Sequence, residues 1–219
     1  MVRAVIGRSS GWAPSIPSET FASGLLKRAF TVHTQALTCG IWCHVATNSL
    51  STPMSWAPRW RHHEVLIALA GCVTHFESEL WEYLERDFLN LALGNRDNHG
   101  RNMAVLKSVD GSLELAPIYD FGPSFLDARA IARVVRWDGE EAGRRDWNHI
   151  VRNLQTRLEE AGVVFPNWPK LLKSIRSFAD KLSVLPDMMR KCGVAAHIIE
   201  QRHPEIQRLV QDLRALKDS

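Results

Sequence analysis

The stretch Phe76 to Leu93 restricts the fold more than any other. Leu80, Leu84, Phe88 and Leu91 recur on one stripe, which predicts a long amphipathic helix. Gly94 stands where a helix commonly ends in a left-handed glycine. A polar loop, Asn95 to Asn102, follows it. Met103 to Lys107 is then apolar and strand-like, and Leu113 to Ile118 is the returning strand. Between them, Asp110-Gly111 is a two-residue hairpin turn signal. Tyr119 to Ser124 is a second loop. Helical patterns cover Glu64 to Cys72 ahead of this unit. Behind it they cover Ala128–Arg136, Asp146–Ala161, Pro169–Leu182, Pro186–Lys191 and Val194–Leu216, with Gly162 and Gly193 as stops. The expected fold is mainly α with a small β-hairpin.

The two loops hold the chemistry. Asp97 and Asn102 lie in the first, and Asp120, in Tyr119-Asp120-Phe121-Gly122, lies in the second. A tight antiparallel pair returns the chain to within one or two strand spacings, about 5 to 10 Å. All three side chains are therefore expected at one end of the hairpin. Phosphoryl transfer needs such a set. One carboxylate orients an acceptor hydroxyl and takes its proton; a second, with an amide oxygen, holds Mg²⁺ against nucleotide phosphates. Protein kinases order these groups as Asp-x-x-x-x-Asn and then Asp-Phe-Gly. On that pattern Asp97 is the base, Asn102 a metal ligand and Asp120 the principal metal ligand. Asp and Asn are also ordinary loop formers. It is the conjunction of helix, glycine stop, both motifs and hairpin that sets this segment apart.

The run Phe88-Leu89-Asn90-Leu91-Ala92-Leu93-Gly94-Asn95-Arg96-Asp97-Asn98-His99-Gly100-Arg101-Asn102, with Leu115-Ala116-Pro117-Ile118-Tyr119-Asp120, resembles the C-terminal domain of HipA-type kinases. These are the serine/threonine kinases of bacterial type II toxin–antitoxin modules. Their motif is Gly-Asn-x-Asp-x-His-x-Lys-Asn followed by Leu-x-Pro-x-Tyr-Asp. Gly94, Asn95, Asp97, His99, Asn102, Leu115, Pro117, Tyr119 and Asp120 match it; Arg101 replaces the lysine, keeping the charge but changing its shape. The resemblance covers about residues 64–219. It implies a protein-kinase-like C-lobe that uses ATP and Mg²⁺. Asp97 would be catalytic, Asn102 and Asp120 would bind metal, and Asn95, His99 and Arg101 would line the nucleotide site. For His99 a loop-stabilising role is equally open. The implied partners are a protein substrate and an antitoxin-like protein, with nucleic acid reached only through the latter. HipA-type kinases also carry a nucleotide-gripping lobe with a glycine-rich loop and a strand lysine. No such glycine-rich pattern occurs, and the only lysine of residues 1–62, Lys27, lies in a stretch that reads as helical, so activity is expected to need that lobe in trans. The alternative is a non-catalytic remnant that acts as a protein-binding module.

The chain is uneven. Residues 1–62 hold six Lys/Arg against one acid, Glu19, a charge of +5. The remainder, with 21 basic and 23 acidic residues, carries −2. The first segment has four of the eight tryptophans and no sustained period, with Gly, Pro and Ser punctuating it. Only Phe21 to Val32 reads as a short helix. The segment is expected as an irregular basic extension ahead of a kinase lobe over 63–219; a nucleic-acid arm and a translated shifted frame are the other readings. Cys39, Cys43 and His44, with His33, His62 and His63, fit no common zinc spacing. Four cysteines without an export signal suggest reduced thiols in the cytoplasm. The longest apolar run, Val65 to Val73, is nine residues, half of the ~18 that suggest a membrane span. Trp137, Trp147 and Trp168 are expected in the core. Arg133, Arg136, Arg144 and Arg145 are expected as a solvated basic face or as contacts to a substrate phosphate or an acidic partner.

Overall fold

The computed structural model describes residues 61–128, 131–141, 144–165 and 167–218. The extension up to residue 60, with Phe21–Val32 and Cys39, Cys43, His33 and His44, lies outside the described residues. Six α-helices and two short hairpins make up the described part: α1 His62–Ala70, α2 Phe76–Leu93, β1 Val105–Lys107, β2 Leu113–Leu115, β3 Glu140–Glu141, β4 Arg144–Arg145, α3 Trp147–Glu160, α4 Trp168–Ser183, α5 Leu185–Lys191 and α6 Ala196–Arg214. The fold is mostly helical, and the larger of its two antiparallel pairs, β1–β2, follows α2.

Helix ends follow local chemistry. The Asp146 carboxylate accepts from His149 N at 3.1 Å and starts α3; the Asn167 amide oxygen accepts from Lys170 N at 3.1 Å and starts α4. Gly94 ends α2 with φ 72°. Helix α2 runs through the centre of the domain. Its apolar stripe, Leu80, Leu84, Phe88 and Ala92, is buried, and α6 packs against both α2 and α4. Phe88 meets Trp147 edge-to-face at 5.1 Å, and Trp147 meets Trp137 at 6.1 Å. Trp137 and Trp147 are thus core residues, and Trp168 packs against that core.

The β1–β2 hairpin lies over the other face of α2. Val105 pairs with Leu115 and Lys107 with Leu113. The outer edge of β2 is covered rather than open. Leu113 N donates to Thr74 Oγ1 at 2.7 Å, and Leu115 N donates to Glu79 Oε2 at 2.7 Å. The turn differs from the expected two-residue form. Gly111 N donates to Ser108 O at 3.0 Å, Ser108 N to Ser112 O at 2.8 Å, and Gly111 has φ 90°. That is a three-residue loop closed by a left-handed glycine.

A second departure concerns the helix expected over Ala128–Arg136. Residues 131–136 are non-helical, because their polar groups are claimed from outside. The Asn98 amide oxygen accepts from Val134 N at 3.1 Å, and its nitrogen donates to Val135 O at 3.0 Å. Arg136 O accepts from His62 N at 3.1 Å. A helix would have to give up all three. No described helix is long and apolar enough to cross a membrane.

Candidate active site

Gly94 ends α2, and Asn95–Asn102 leads from it to the hairpin, whose Leu115 is bonded to Glu79 in the first turn of the same helix. No side chain fits at Gly94. A Cβ there would stand 2.5 Å from Phe125 Cδ1 and 3.1 Å from Arg202 Cζ. Arg202 comes from α6 and donates to the last carbonyls of α2, Leu91 O at 2.6 Å and Ala92 O at 3.1 Å. A cation is favourable at a helix C-terminus. Its guanidinium also lies over the Phe125 ring, 5.0 Å from the centroid. Burial lowers the Arg202 pKa from its ordinary value.

Four of the six residues singled out by sequence, Asn95, Asp97, His99 and Asn102, line one cleft. Asn102 Nδ2 donates to Asp97 O at 2.8 Å, and Asn102 N to His99 O at 2.9 Å in the 3₁₀ turn Gly100–Asn102. The amide nitrogen is thus engaged, which leaves Oδ1 for another ligand. His99 Nε2 lies 3.3 Å from Asp97 Oδ1, while its buried Nδ1 has no hydrogen-bond partner. The Asp97 side chain is 34% exposed, within reach of solvent or a substrate. Asn95 accepts from Asp97 N at 3.2 Å and donates to Asn90 Oδ1 at 2.8 Å. The Arg101 side chain lies outside the described structure.

Asp120 is exposed, and its chain neighbours Tyr119 and Phe121 line the same cleft. With φ 51° it is the sole non-glycine residue of positive φ among the described residues. Such strain persists where the surroundings over-determine it, often at functional sites. Tyr119 and Phe121 thus bring the Asp120 loop to the cleft that holds Asp97 and Asn102, but Asp120 itself is not among the residues lining it.

The back wall of the cleft is a buried polar network that sequence patterning missed. Asp87 accepts from Trp137 Nε1 at 2.8 Å and pairs with Arg133. The Arg133 Nη2 atom is also 2.9 Å from His62 Nε2, and His62 Nδ1 is 2.7 Å from Tyr83 OH. His62 stacks on Trp137 at 4.3 Å. Burial pushes the Asp87 carboxyl up, but Arg133, then His62 and Trp137, outweigh it and hold its pKa at about 2. Arg133 is therefore an internal ion-pair partner and not part of a solvated face. Arg136 and Arg144 are exposed, and Arg145 pairs with Glu140 at 2.5 Å. One signal was available: Glu79, Glu82, Tyr83, Arg86, Asp87 and Asn90 form a polar stripe at helical spacing along α2.

The cleft is an open depression of about 720 Å³. Arg86 is the one Lys or Arg among its described lining residues, and it is bound to Glu82 at 2.5 Å. No cluster of three His, Cys, Asp or Glu suited to a metal occurs among the described residues. The family model for the HipA-like C-terminal domain matches residues 46–182 of the chain, a span that contains α1, α2, both hairpins and α3. No curated protein matches the sequence.

Proposed function

Since the chain belongs to the family of HipA-like C-terminal domains, we propose that it is the catalytic lobe of a serine/threonine protein kinase. The reading rests on one observation. Asp97, His99 and Asn102 share a cleft with the two residues that flank Asp120. Asp97 is then the base that accepts the proton of a substrate hydroxyl, and His99 steadies its carboxylate. Asn102 Oδ1 and the Asp120 carboxylate are hard oxygen donors of the kind Mg²⁺ takes together with phosphate oxygens and water. Such a pair, completed by phosphate oxygens and water, would hold the ion without a cluster of three acids. The ion, when bound, neutralises charge on the nucleotide phosphates.

The nucleotide needs more than this cleft. Arg86, the one Lys or Arg among the described residues lining it, is already committed to Glu82. The phosphate-gripping groups therefore come from a further lobe, in trans to the described residues. The protein partners of this reading are a Ser/Thr substrate and an antitoxin-like protein, through which alone nucleic acid is reached. The scarcity of free cations among the described side chains of the cleft favours one competing reading, a non-catalytic binding module.

Calorimetry of the chain with Mg²⁺ and a non-hydrolysable ATP analogue separates the two. Binding that loses its Mg²⁺ dependence in Asp120→Ala, with Asp97→Ala sparing binding but abolishing phosphotransfer, supports the kinase roles. Identical behaviour of the two variants refutes them. No heat at millimolar nucleotide excludes catalysis by the chain alone.

A further inference from the structure

We propose that Ser124 is a positioning residue that sets the place of Asp97 and ties it to the loop bearing Asp120. The inference deepens the kinase reading and rests on it for the identity of the site. Ser124 lies in the 3₁₀ turn Ser124–Leu126, four residues beyond Asp120. Its hydroxyl accepts from Arg96 N at 2.6 Å and from Asp97 N at 3.2 Å. It donates to Asn95 Oδ1 at 3.3 Å. A hydroxyl has one proton and two lone pairs. All three are spent on consecutive residues of the Asp97 loop.

The contact is reinforced on either side. Phe125 N donates to Gly94 O at 3.1 Å, and Phe125 in turn lies under Arg202. Ser124 N donates to Gly122 O at 2.8 Å, which folds the chain tightly between Asp120 and the hydroxyl. The two loops therefore meet through a short ladder whose central rung is one side-chain oxygen. Arg96 is exposed and Ser124 only half-buried, so solvent can replace the bond when the hydroxyl is removed. The fold then survives, whereas the register between the loops loosens. Threonine keeps the oxygen and should keep the register.

The test uses the full chain, ¹⁵N-labelled, as wild type, Ser124→Ala and Ser124→Thr, with Mn²⁺ alone as the metal probe. In Ser124→Ala, amide exchange at Arg96 and Asp97 should accelerate about tenfold while exchange in α6 and the melting temperature hold, as expected for a local opening. Mn²⁺, read by paramagnetic broadening at residues 97, 102 and 120, should bind about tenfold more weakly, a typical coupling between linked elements. Ser124→Thr should restore both. Unchanged exchange at Arg96 and Asp97 in Ser124→Ala overturns the proposal, as does equal loss in the alanine and threonine variants. If the amides respond as expected but the wild type takes up no Mn²⁺ at these residues, the positioning role stands and the metal-site reading fails.

Discussion

Acid should unfold this protein earlier than its carboxylates alone would dictate, and His62 is the reason. Its imidazole is buried in α1 between Trp137 and Tyr83, with Nε2 against Arg133. Arginine can only donate, so Nε2 accepts and the proton of the neutral ring sits on Nδ1, pointed at Tyr83. Burial is the largest cause lowering the His62 pKa from 6.5 to about 3. Arg133 and Arg145 push the same way, and Asp87 opposes them. The unfolded chain takes up this proton near pH 6.5, whereas the native state refuses it until about pH 3. Between those values the unfolded state binds more protons, so stability falls as pH falls. At ~1.36 kcal/mol per pH unit the whole interval is worth roughly 5 kcal/mol, and the portion down to pH 4.5 roughly 3 kcal/mol. Asp87, held at about 2, has its effect only below about 3.8 and leaves that upper window clear. Urea unfolding followed by tryptophan fluorescence at pH 7.5 and pH 4.5 measures the loss. Burial raises the Glu79 carboxyl, which favours the native state as pH falls and offsets part of that loss, so His62→Gln should be less stable at pH 7.5 yet lose no stability toward pH 4.5. A wild type equally stable at both values, or a His62→Gln variant with an undiminished slope, would refute the reasoning.

Gly94→Ala combines a left-handed backbone, about 1–2 kcal/mol for a residue with a Cβ, with a collision against the Phe125 ring. A total near 3 kcal/mol should lower the melting temperature by about 6–12 °C, and a drop under 3 °C would show that Phe125 and Arg202 yield freely. Asp87→Ala strands the buried Arg133 guanidinium and should cost about 3–5 kcal/mol in urea denaturation. The double variant Asp87→Leu, Arg133→Met should recover part of that loss; strictly additive losses would mean that the pair is not coupled.

Much of the candidate site's framework was legible because its signals are local. The stripe on α2, the glycine stop and the Asp97-x4-Asn102 spacing each sit within one element or one loop. The hairpin was legible too, but its turn was not. Asp110-Gly111 supports both a two-residue and a three-residue loop, and the Ser108–Ser112 pairing decided between them. Residues 128–136 read as helix because propensity counts neighbours along the chain. Their actual partners, Asn98 and His62, are 36 or more positions away.

The pattern of residues alone settled that a long amphipathic helix must end at Gly94 and hand its chain to a polar loop and a hairpin, because periodicity and a glycine-specific φ act over a few residues. Only the folded chain decided which polar side chains became internal. Asp87 and Arg133 are 46 residues apart and Ser124 lies 27 beyond Asp97. A charge or hydroxyl looks solvent-bound until packing excludes water and brings its counterpart within hydrogen-bond distance.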